Sequence, residues 1–215
     1  GYPLRFNPSL IFFKDYLQSE SLGRVTKIVS ICSSYLPNWR PNLDYRKSVS
    51  AIESLGGGVL LELSHEIDYL RWIFGNLTLM DSKVEKKSDL DIDVEDTAFL
   101  ALETNNEFST KSKIEVFLDF CSLESKRECI VTGENRILKW NGITSQVLTQ
   151  ATGHSKWETL YNGKNNDNDL MYKEELSYFL DCLENNKQPH PSVQDAYETI
   201  KIVLSAKEKN ISFFK

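Results

Sequence analysis

Three polar side chains near the start of one segment have the types and the spacing needed to move a proton. The segment is GGGVLLELSHEIDYLRWIFG, residues 56–75, and the side chains are Glu62, His65 and Asp68. On a helix, residues three apart lie along one face, so a carboxylate would stand one turn from an imidazole. Such a carboxylate can fix the imidazole tautomer and raise its pKa, and histidine titrates nearest neutral pH. The pattern predicts a general acid or base at His65, oriented by Glu62.

The glycines that precede these side chains suggest room for a ligand. Gly56, Gly57 and Gly58 lack a Cβ, so a bound molecule could approach the backbone closely. A helix that begins just after them would also offer unpaired N–H donors and a partial positive charge. The alternative is structural, because a GGG sequence can be an ordinary loop and a single histidine on an amphipathic helix can belong to the surface or the core.

A second candidate for binding is the long irregular stretch before the glycines, residues 36–55. It brings together Trp39, Arg40, Tyr45 and Arg46 among prolines and asparagines, a composition typical of functional loops. An indole offers an apolar face to a sugar ring, and arginines offer forked donors to carboxylate, phosphate or hydroxyl groups. The alternative is a loop anchored by its tryptophan, with solvated arginines.

Two kinds of periodicity indicate which elements must position these residues. Helical spacing of apolar residues occurs in residues 9–20, 56–75, 169–187 and 192–209, the last with Ser192 as a candidate N-cap. Alternation typical of strands occurs in residues 24–36, 77–88, 96–105, 111–120, 126–133, 135–140 and 143–150. We therefore expect an α+β fold, a large open, mainly antiparallel sheet with helices packed on one face.

Details of the chain path follow from the same patterns. Residues 1–6 look like the end of a strand, which would give a βαβ-like opening. Short links between the later strands imply an antiparallel meander. The acidic run at residues 88–96 predicts a solvated turn, and the polar stretch 151–168 predicts a mobile loop across the sheet.

Composition excludes several classes of function. The chain has 215 residues, a formal net charge of −6 and no basic stripe, which argues against nucleic acid or an anionic membrane as the main partner. No apolar run approaches the roughly 18 residues that a membrane span needs. Four cysteines without C-x-x-C spacing predict free thiols in a reducing, cytoplasmic compartment and no metal site. No G-x-G-x-x-G sequence follows any strand.

The order of these parts resembles the C-terminal half of the Gfo/Idh/MocA oxidoreductases, the glucose-fructose oxidoreductase and inositol dehydrogenase family. The resemblance rests on GYPLRFNP, LGRV, GGGVLLELSHEID, VEDTAFLAL, KRECIVTGENRILKW and the segment from MYKEELSYF to TIKIVLSA. It runs nearly end to end. The glycines with the H-x-x-D helix and the M-Y-x-x-E-L helix are together specific, whereas each alone is a weak signal.

The resemblance implies a two-domain enzyme in which residues 1–215 form a single substrate-binding domain. The N-terminal Rossmann domain, which would bind NAD or NADP, is absent from this chain, so the chain alone should not be catalytic. The expected substrate is a secondary alcohol of a sugar, inositol or sugar nucleotide, and the expected assembly is a homo-oligomer through the sheet face. A sugar-binding or oligomerisation module without enzymatic activity is the alternative.

Matching positions carry the family's roles onto this sequence. His65 falls on the family's catalytic histidine and Asp68 on the acid of its H-x-x-D. From the composition of their loop, and not from the matching, we expect Trp39, Arg40 and Arg46 to hold the substrate together with Asp68. The family commonly has an Asp four residues before the histidine. Position 61 is Leu here, and the nearest acid is Glu62 at three residues before it. This departure places the carboxylate–histidine pair in doubt, though not His65.

Overall fold

The computed structural model describes residues 1–19, 21–104, 112–163 and 167–212. In this part of the chain the strands are β1 (Val25–Ser33), β2 (Leu77–Glu85), β3 (Thr97–Thr104), β4 (Lys113–Asp119), β5 (Lys126–Gly133), β6 (Arg136–Asn141), β7 (Gln146–Ala151) and β8 (Glu158–Asn162). The helices are α1 (Pro8–Leu17), α2 (Val59–Glu62), α3 (Ser64–Phe74), α4 (Asp167–Glu184) and α5 (Val193–Ser212). Short 3₁₀ helices occupy Pro3–Phe6, Leu36–Asn38, Tyr45–Lys47, Val49–Ala51 and Glu53–Leu55.

The strands form one sheet in the order β2-β3-β4-β1-β5-β6-β7-β8, antiparallel except between β1 and β4. The expected continuous meander is wrong at this point, because β1 lies between β4 and β5. Its Ile28 pairs with Ile114 on one side and with Val131 on the other. Alternation within a strand specifies which face is buried, but it does not specify the neighbouring strand.

Helices cover one face of the sheet, which confirms the α+β fold class. The covered face takes alternate residues of each strand, such as Ala98, Leu100 and Leu102 of β3. On this face, α1 packs against β6 and β7, while α5 packs against β2 and α3. Ser192 caps α5 as expected, since its hydroxyl accepts from the Asp195 amide and its own amide donates to the Asp195 carboxylate.

A small cluster of buried polar side chains holds α1 and α3 against the sheet. The indole Nε1 of Trp140 in β6 donates to the Ser9 hydroxyl of α1 at 2.8 Å. The ring of Tyr69 in α3 meets Trp140 edge-on at 5.5 Å, and its hydroxyl lies 2.7 Å from Ser30 of β1. Buried hydroxyl and indole groups need such partners. The middle of α3 is thereby held at a defined place above β1.

Three expectations about the path are corrected. Residues 3–6 form a 3₁₀ helix rather than a strand end, in agreement with proline at its first position. The acidic run is not a wholly solvated turn, because the buried carboxylate of Asp96 accepts from the amides of Lys87 and Ser88. The stretch after β7 contains β8, which pairs with β7. The rest of that predicted loop includes residues 164–166, outside the described residues.

No helix in the described ranges has both the length and the apolar character that crossing a bilayer requires.

Candidate functional site

The segment that starts with the three glycines forms two helices rather than one. Val59–Glu62 and Ser64–Phe74 are separate, and the chain breaks at Leu63, where φ is −99° and ψ is 19°. Leu63 is buried, and tertiary packing can override the local helix preference of a leucine. Because of the break, Glu62 is the last residue of one helix and His65 lies in the next.

Two of the three glycines, Gly57 and Gly58, are buried and closely packed inside the protein. Gly58 has φ of +110°, and a Cβ there would lie 2.3 Å from a carboxylate oxygen of Glu95. The amide of Val59 donates to the backbone carbonyl of Glu95, and the amide of Leu60 donates to its side chain. Lys207 of α5 pairs with the same carboxylate at 3.1 Å. The expectation that these N–H donors are free to bind a ligand is therefore wrong, because Glu95 already accepts hydrogen bonds from the first amides of α2.

His65 lies in the wall of an open cleft of about 490 Å³. The cleft is lined by Pro3, Leu4, Cys32, Ser33, Ser34, Tyr35, Asn38, Trp39, Glu62, Leu63, His65, Ser125, Lys126, Arg127, Ile143, Met171 and Tyr172. The Tyr2 ring packs edge-on against the imidazole at 5.4 Å. The Nδ1 atom is enclosed and has no hydrogen-bond partner in the described part of the chain. The ring is thus held by packing, at the edge of a space large enough for a small ligand.

The surroundings of His65 keep its imidazole neutral. Burial, and next to it the positive charge of Arg127, lower the pKa of His65 from 6.5 to about 4. Desolvation disfavours the charged form of a histidine, and a nearby cation acts in the same direction. At neutral pH the imidazole is therefore a free base that can accept a proton.

A buried ion pair lies directly behind His65. Glu66 is fully buried, and one of its carboxylate oxygens accepts from Nε and from a terminal nitrogen of Arg127, both at 2.8 Å. Burial raises the pKa of Glu66, while Arg127 opposes the rise. The neighbouring thiol of Cys32 has its pKa raised to about 12, first by burial and then by the Glu66 charge, so it stays protonated. Arg127 therefore lines the cleft, and the buried carboxylate of Glu66 balances its charge.

Sequence reasoning missed both members of this pair, although the strand pattern contained a signal. Arg127 and Cys129 are two apart in β5 and share one face, and Cys129 is fully buried. Arg127 therefore had to enter the covered face and needed a buried acid there. Nothing in the sequence identified Glu66 as that acid.

Glu62 lines the same cleft as His65 but does not orient it in this structure. The two residues lie on different helices, and the Nδ1 atom of His65 accepts or donates no hydrogen bond among the described residues. The carboxylate remains a polar group at the cleft wall.

Asp68 is held by partners inside the protein, and its expected contact with substrate stays a prediction. Its carboxylate is fully buried and receives two hydrogen bonds from Arg5, at 2.8 and 2.7 Å. Thr199 of α5 approaches the same group at 3.4 Å, and Arg71 donates to Thr199 and to the carbonyl of Asp195. This network connects the first turn of the chain, α3 and α5, and thereby fixes the helix that carries His65.

Trp39 forms a rigid wall of the cleft. Its Nε1 atom donates to the Ser34 hydroxyl at 2.6 Å, and its ring stands edge-on to Phe120 at 5.1 Å. Both contacts leave part of the indole exposed to the cleft.

The two loop arginines are placed differently. Arg40 lines a smaller pocket of about 330 Å³ that adjoins the cleft at Trp39. Arg46 lines neither space, since its guanidinium binds the Asp44 carboxylate at 2.8 and 2.9 Å and approaches Asp91 at 3.7 Å. Arg46 is thus paired with Asp44 and Asp91, and its expected contact with substrate stays a prediction.

Metal ligation has no candidate within the ranges that the structure describes, where no three His, Cys, Asp or Glu side chains come together suitably. All four cysteines are free.

Comparison with known proteins gives one family match. Residues 14–210 match the model for the C-terminal alpha/beta domain of an oxidoreductase family, designated GFO_IDH_MocA_C. No curated protein sequence matches this chain.

Several solved structures share the fold. A levoglucosan dehydrogenase in complex with NADH superposes with a TM-score of 0.78 at 14% identity, covering 98% of this chain and 63% of that one. A putative NADPH-dependent oxidoreductase from Desulfitobacterium hafniense gives 0.80 at 13%, covering 99% and 62%. The WlbA dehydrogenase from Bordetella pertussis, in complex with NADH and UDP-GlcNAcA, gives 0.72 at 13%, also covering 99% and 62%. The chain thus spans a little under two thirds of the length of these structures.

Proposed function

This chain belongs to the Gfo/Idh/MocA oxidoreductase family, and from that premise we propose that it is the substrate-binding domain of an NAD(P)-dependent dehydrogenase. The proposed substrate is a secondary alcohol of a sugar, an inositol or a sugar nucleotide. The observation that carries the proposal is the neutral imidazole of His65 at the wall of an open cleft. Structural relatives whose names mention NADH, a sugar or a sugar nucleotide support the same class of reaction.

His65 is the proposed proton acceptor. Oxidation of a secondary alcohol removes the hydroxyl proton while the carbon loses a hydride, so a base must stand at the oxygen. A neutral imidazole can take that proton, and in the reverse direction the imidazolium returns it. Because Nδ1 is enclosed, we assign the transfer to Nε2, on the opposite side of the ring.

Side chains around His65 would hold the sugar. The exposed part of the Trp39 indole offers an apolar surface against which a pyranose can lie. Glu62, Asn38 and Tyr172 bring a carboxylate, an amide and a phenol to the same cleft, and these can bond to ring hydroxyls. Arg127, charge-balanced by Glu66, adds donors near the position of the reacting oxygen.

This chain would contribute only part of the binding site for the cofactor. The imidazole next to an open cleft suits a reaction in which bound NAD or NADP accepts the hydride. The sequence contains no glycine fingerprint for the dinucleotide phosphates, so we propose that a preceding Rossmann domain supplies most of that binding. A cytoplasmic location and assembly through the uncovered sheet face also belong to this proposal; Phe117, which is 41% exposed on that face, supports the assembly.

The test is steady-state kinetics of the complete protein with NAD and NADP against a panel of inositols, hexoses and nucleotide sugars. With a substrate found, His65→Ala should lower kcat by about two to four orders of magnitude while cofactor affinity stays the same. His154→Ala, which removes an exposed histidine, is the matched control and should keep the wild-type kcat.

A wild-type kcat in His65→Ala would remove this residue from the mechanism and leave the chain a binding or assembly role.

The variant Glu62→Gln separates the two roles that are open to the Glu62 carboxylate. A raised KM with an unchanged pH profile indicates contact with a substrate hydroxyl, whereas a shifted profile indicates a part in proton transfer.

A further inference from the structure

The smaller pocket beside the cleft has the properties of a second binding site. It is lined by Leu36, Trp39, Arg40, Leu43, Asp44, Tyr45, Lys47, Ser48, Val49 and Ser50, and its volume is about 330 Å³. We call this space the loop pocket. Trp39 lines both the loop pocket and the cleft of His65, so the two spaces share a wall. The two spaces therefore adjoin at the indole.

Internal hydrogen bonds give the loop pocket a defined shape. Asp44 caps the 3₁₀ helix Tyr45–Lys47 by accepting from the Arg46 amide. The Ser48 hydroxyl donates to the Tyr45 carbonyl at 2.6 Å, and the Tyr45 hydroxyl accepts from the Asp91 amide at 3.2 Å. These bonds connect the pocket wall to the segment before β3. The pocket is therefore preformed, which reduces the entropic cost of binding.

Two positive charges at the loop pocket are not balanced. Arg40 and Lys47 both line it, are exposed, and form no ion pair within the part of the chain that the structure describes. The only carboxylate in the lining is Asp44, which accepts hydrogen bonds from Arg46. These bonds lower its pKa, so Asp44 stays ionised and the Arg46 charge offsets its own. In a chain with a formal net charge of −6, a preformed pocket with two free cations favours an anionic ligand.

Building on the proposed function, we infer that the loop pocket binds a phosphate or diphosphate group that extends from the sugar reacting at His65. Guanidinium and ammonium groups are the usual partners of phosphate oxygens. The substrate class is thus a phosphorylated sugar, such as a nucleoside diphosphate sugar. Its sugar lies against Trp39 in the cleft, and its phosphates meet Arg40 and Lys47.

The test is equilibrium calorimetry with the complete protein, using UDP, inorganic pyrophosphate and uridine as probes. UDP and pyrophosphate should bind, and uridine should bind much more weakly because it lacks the phosphates. Arg40→Ala and Lys47→Ala should each weaken UDP binding about tenfold, the size expected for loss of one charged hydrogen bond. The loss of UDP affinity in these variants should be smaller at higher salt, because both side chains are exposed.

Arg24→Ala is the matched control, with the same change of charge. Arg24 is exposed and precedes β1, whereas the loop pocket follows the other end of that strand, roughly 30 Å away at 3.3 Å per residue. Unchanged UDP affinity in Arg24→Ala, with a loss in the two pocket variants, supports the inference.

The inference is overturned if uridine binds as tightly as UDP, if neither phosphate probe binds, or if the three variants behave alike. These outcomes do not depend on catalysis. Sugar oxidation that requires His65 without any phosphate binding would remove only the loop-pocket assignment. Phosphate binding with an unaffected His65→Ala enzyme would remove only the proposed mechanism.

Discussion

Acidification should destabilise this chain through the protonation of His65, and the size of the loss follows from the pKa of this residue. The pKa of this imidazole is about 4 in the folded protein and 6.5 in its ordinary state. Since the folded pKa is depressed, the unfolded chain binds the proton first, and stability falls as the pH decreases below 6.5. At pH 5 the unfolded imidazole is almost fully protonated, whereas the folded one is only about one tenth protonated. The contribution lost between pH 7 and pH 5 is therefore about 2 kcal/mol.

The measurement is urea denaturation of the purified chain at several values between pH 7 and pH 5, in the wild type and in His65→Gln. Other groups titrate in the same window, so the informative quantity is the difference between the two proteins. Acidification should cost the wild type about 2 kcal/mol more than it costs His65→Gln. His154→Gln, which removes an exposed histidine, should keep the wild-type loss. The C2 proton of His65 can be followed by NMR in the same samples.

Equal acid sensitivity of the wild type and His65→Gln would refute this reasoning, as would an NMR titration of His65 near 6.5. Either result would mean that the imidazole is better solvated than its packing against Tyr2 indicates.

Two further predictions concern groups that support the site. Arg127→Met should destabilise the chain by about 3 kcal/mol in urea denaturation, because it leaves the buried Glu66 charge unpaired, and adding Glu66→Gln should recover part of this loss. No recovery would show that the destabilisation comes from lost packing. Gly58→Ala should cost about 3 kcal/mol, because its φ of +110° is strained for alanine and the new Cβ meets Glu95. Gly56→Ala has φ of +83° but open space around its Cβ, so it should cost only about 1 kcal/mol, and equal losses would exclude the Glu95 contact as the cause.

The sequence was sufficient for most of the helices and strands and for the fold class, because both depend on periodicity along a single segment. Alternation in β3 and β4 predicted strands with one covered face, and the structure has them. The position of β1 between β4 and β5 depends instead on pairing between segments far apart in the chain. Hydrophobic alternation is the same for either neighbour, so it contains no information about that choice.

The residues of the candidate site could also be predicted only in part. His65 and Trp39 could be identified from their types and surroundings, and the structure places both at one cleft. Asp68 and Arg46 have the same chemistry as a catalytic acid and a substrate-binding arginine, yet each is bound by a partner within the protein. A spacing rule treats every carboxylate or guanidinium in a segment alike. Only the partner, which for Asp68 is Arg5 at 63 positions earlier, decides whether the charge is available to a ligand.

Charge compensation therefore separates structural from functional residues in this chain. Around α3 each buried carboxylate meets an arginine from another segment, and breaking such a pair costs far more than an exposed pair is worth. These paired charges hold the helix, so breaking a pair to bind substrate would destabilise the fold. Arg127 can still offer its remaining N–H groups to the cleft while it stays bound to Glu66. The groups left for chemistry are those that the fold does not use: a neutral imidazole at the cleft and two free cations at the loop pocket. A ligand that joins them must bring a hydroxyl to one end and an anion to the other, which is why the two proposals describe parts of one substrate.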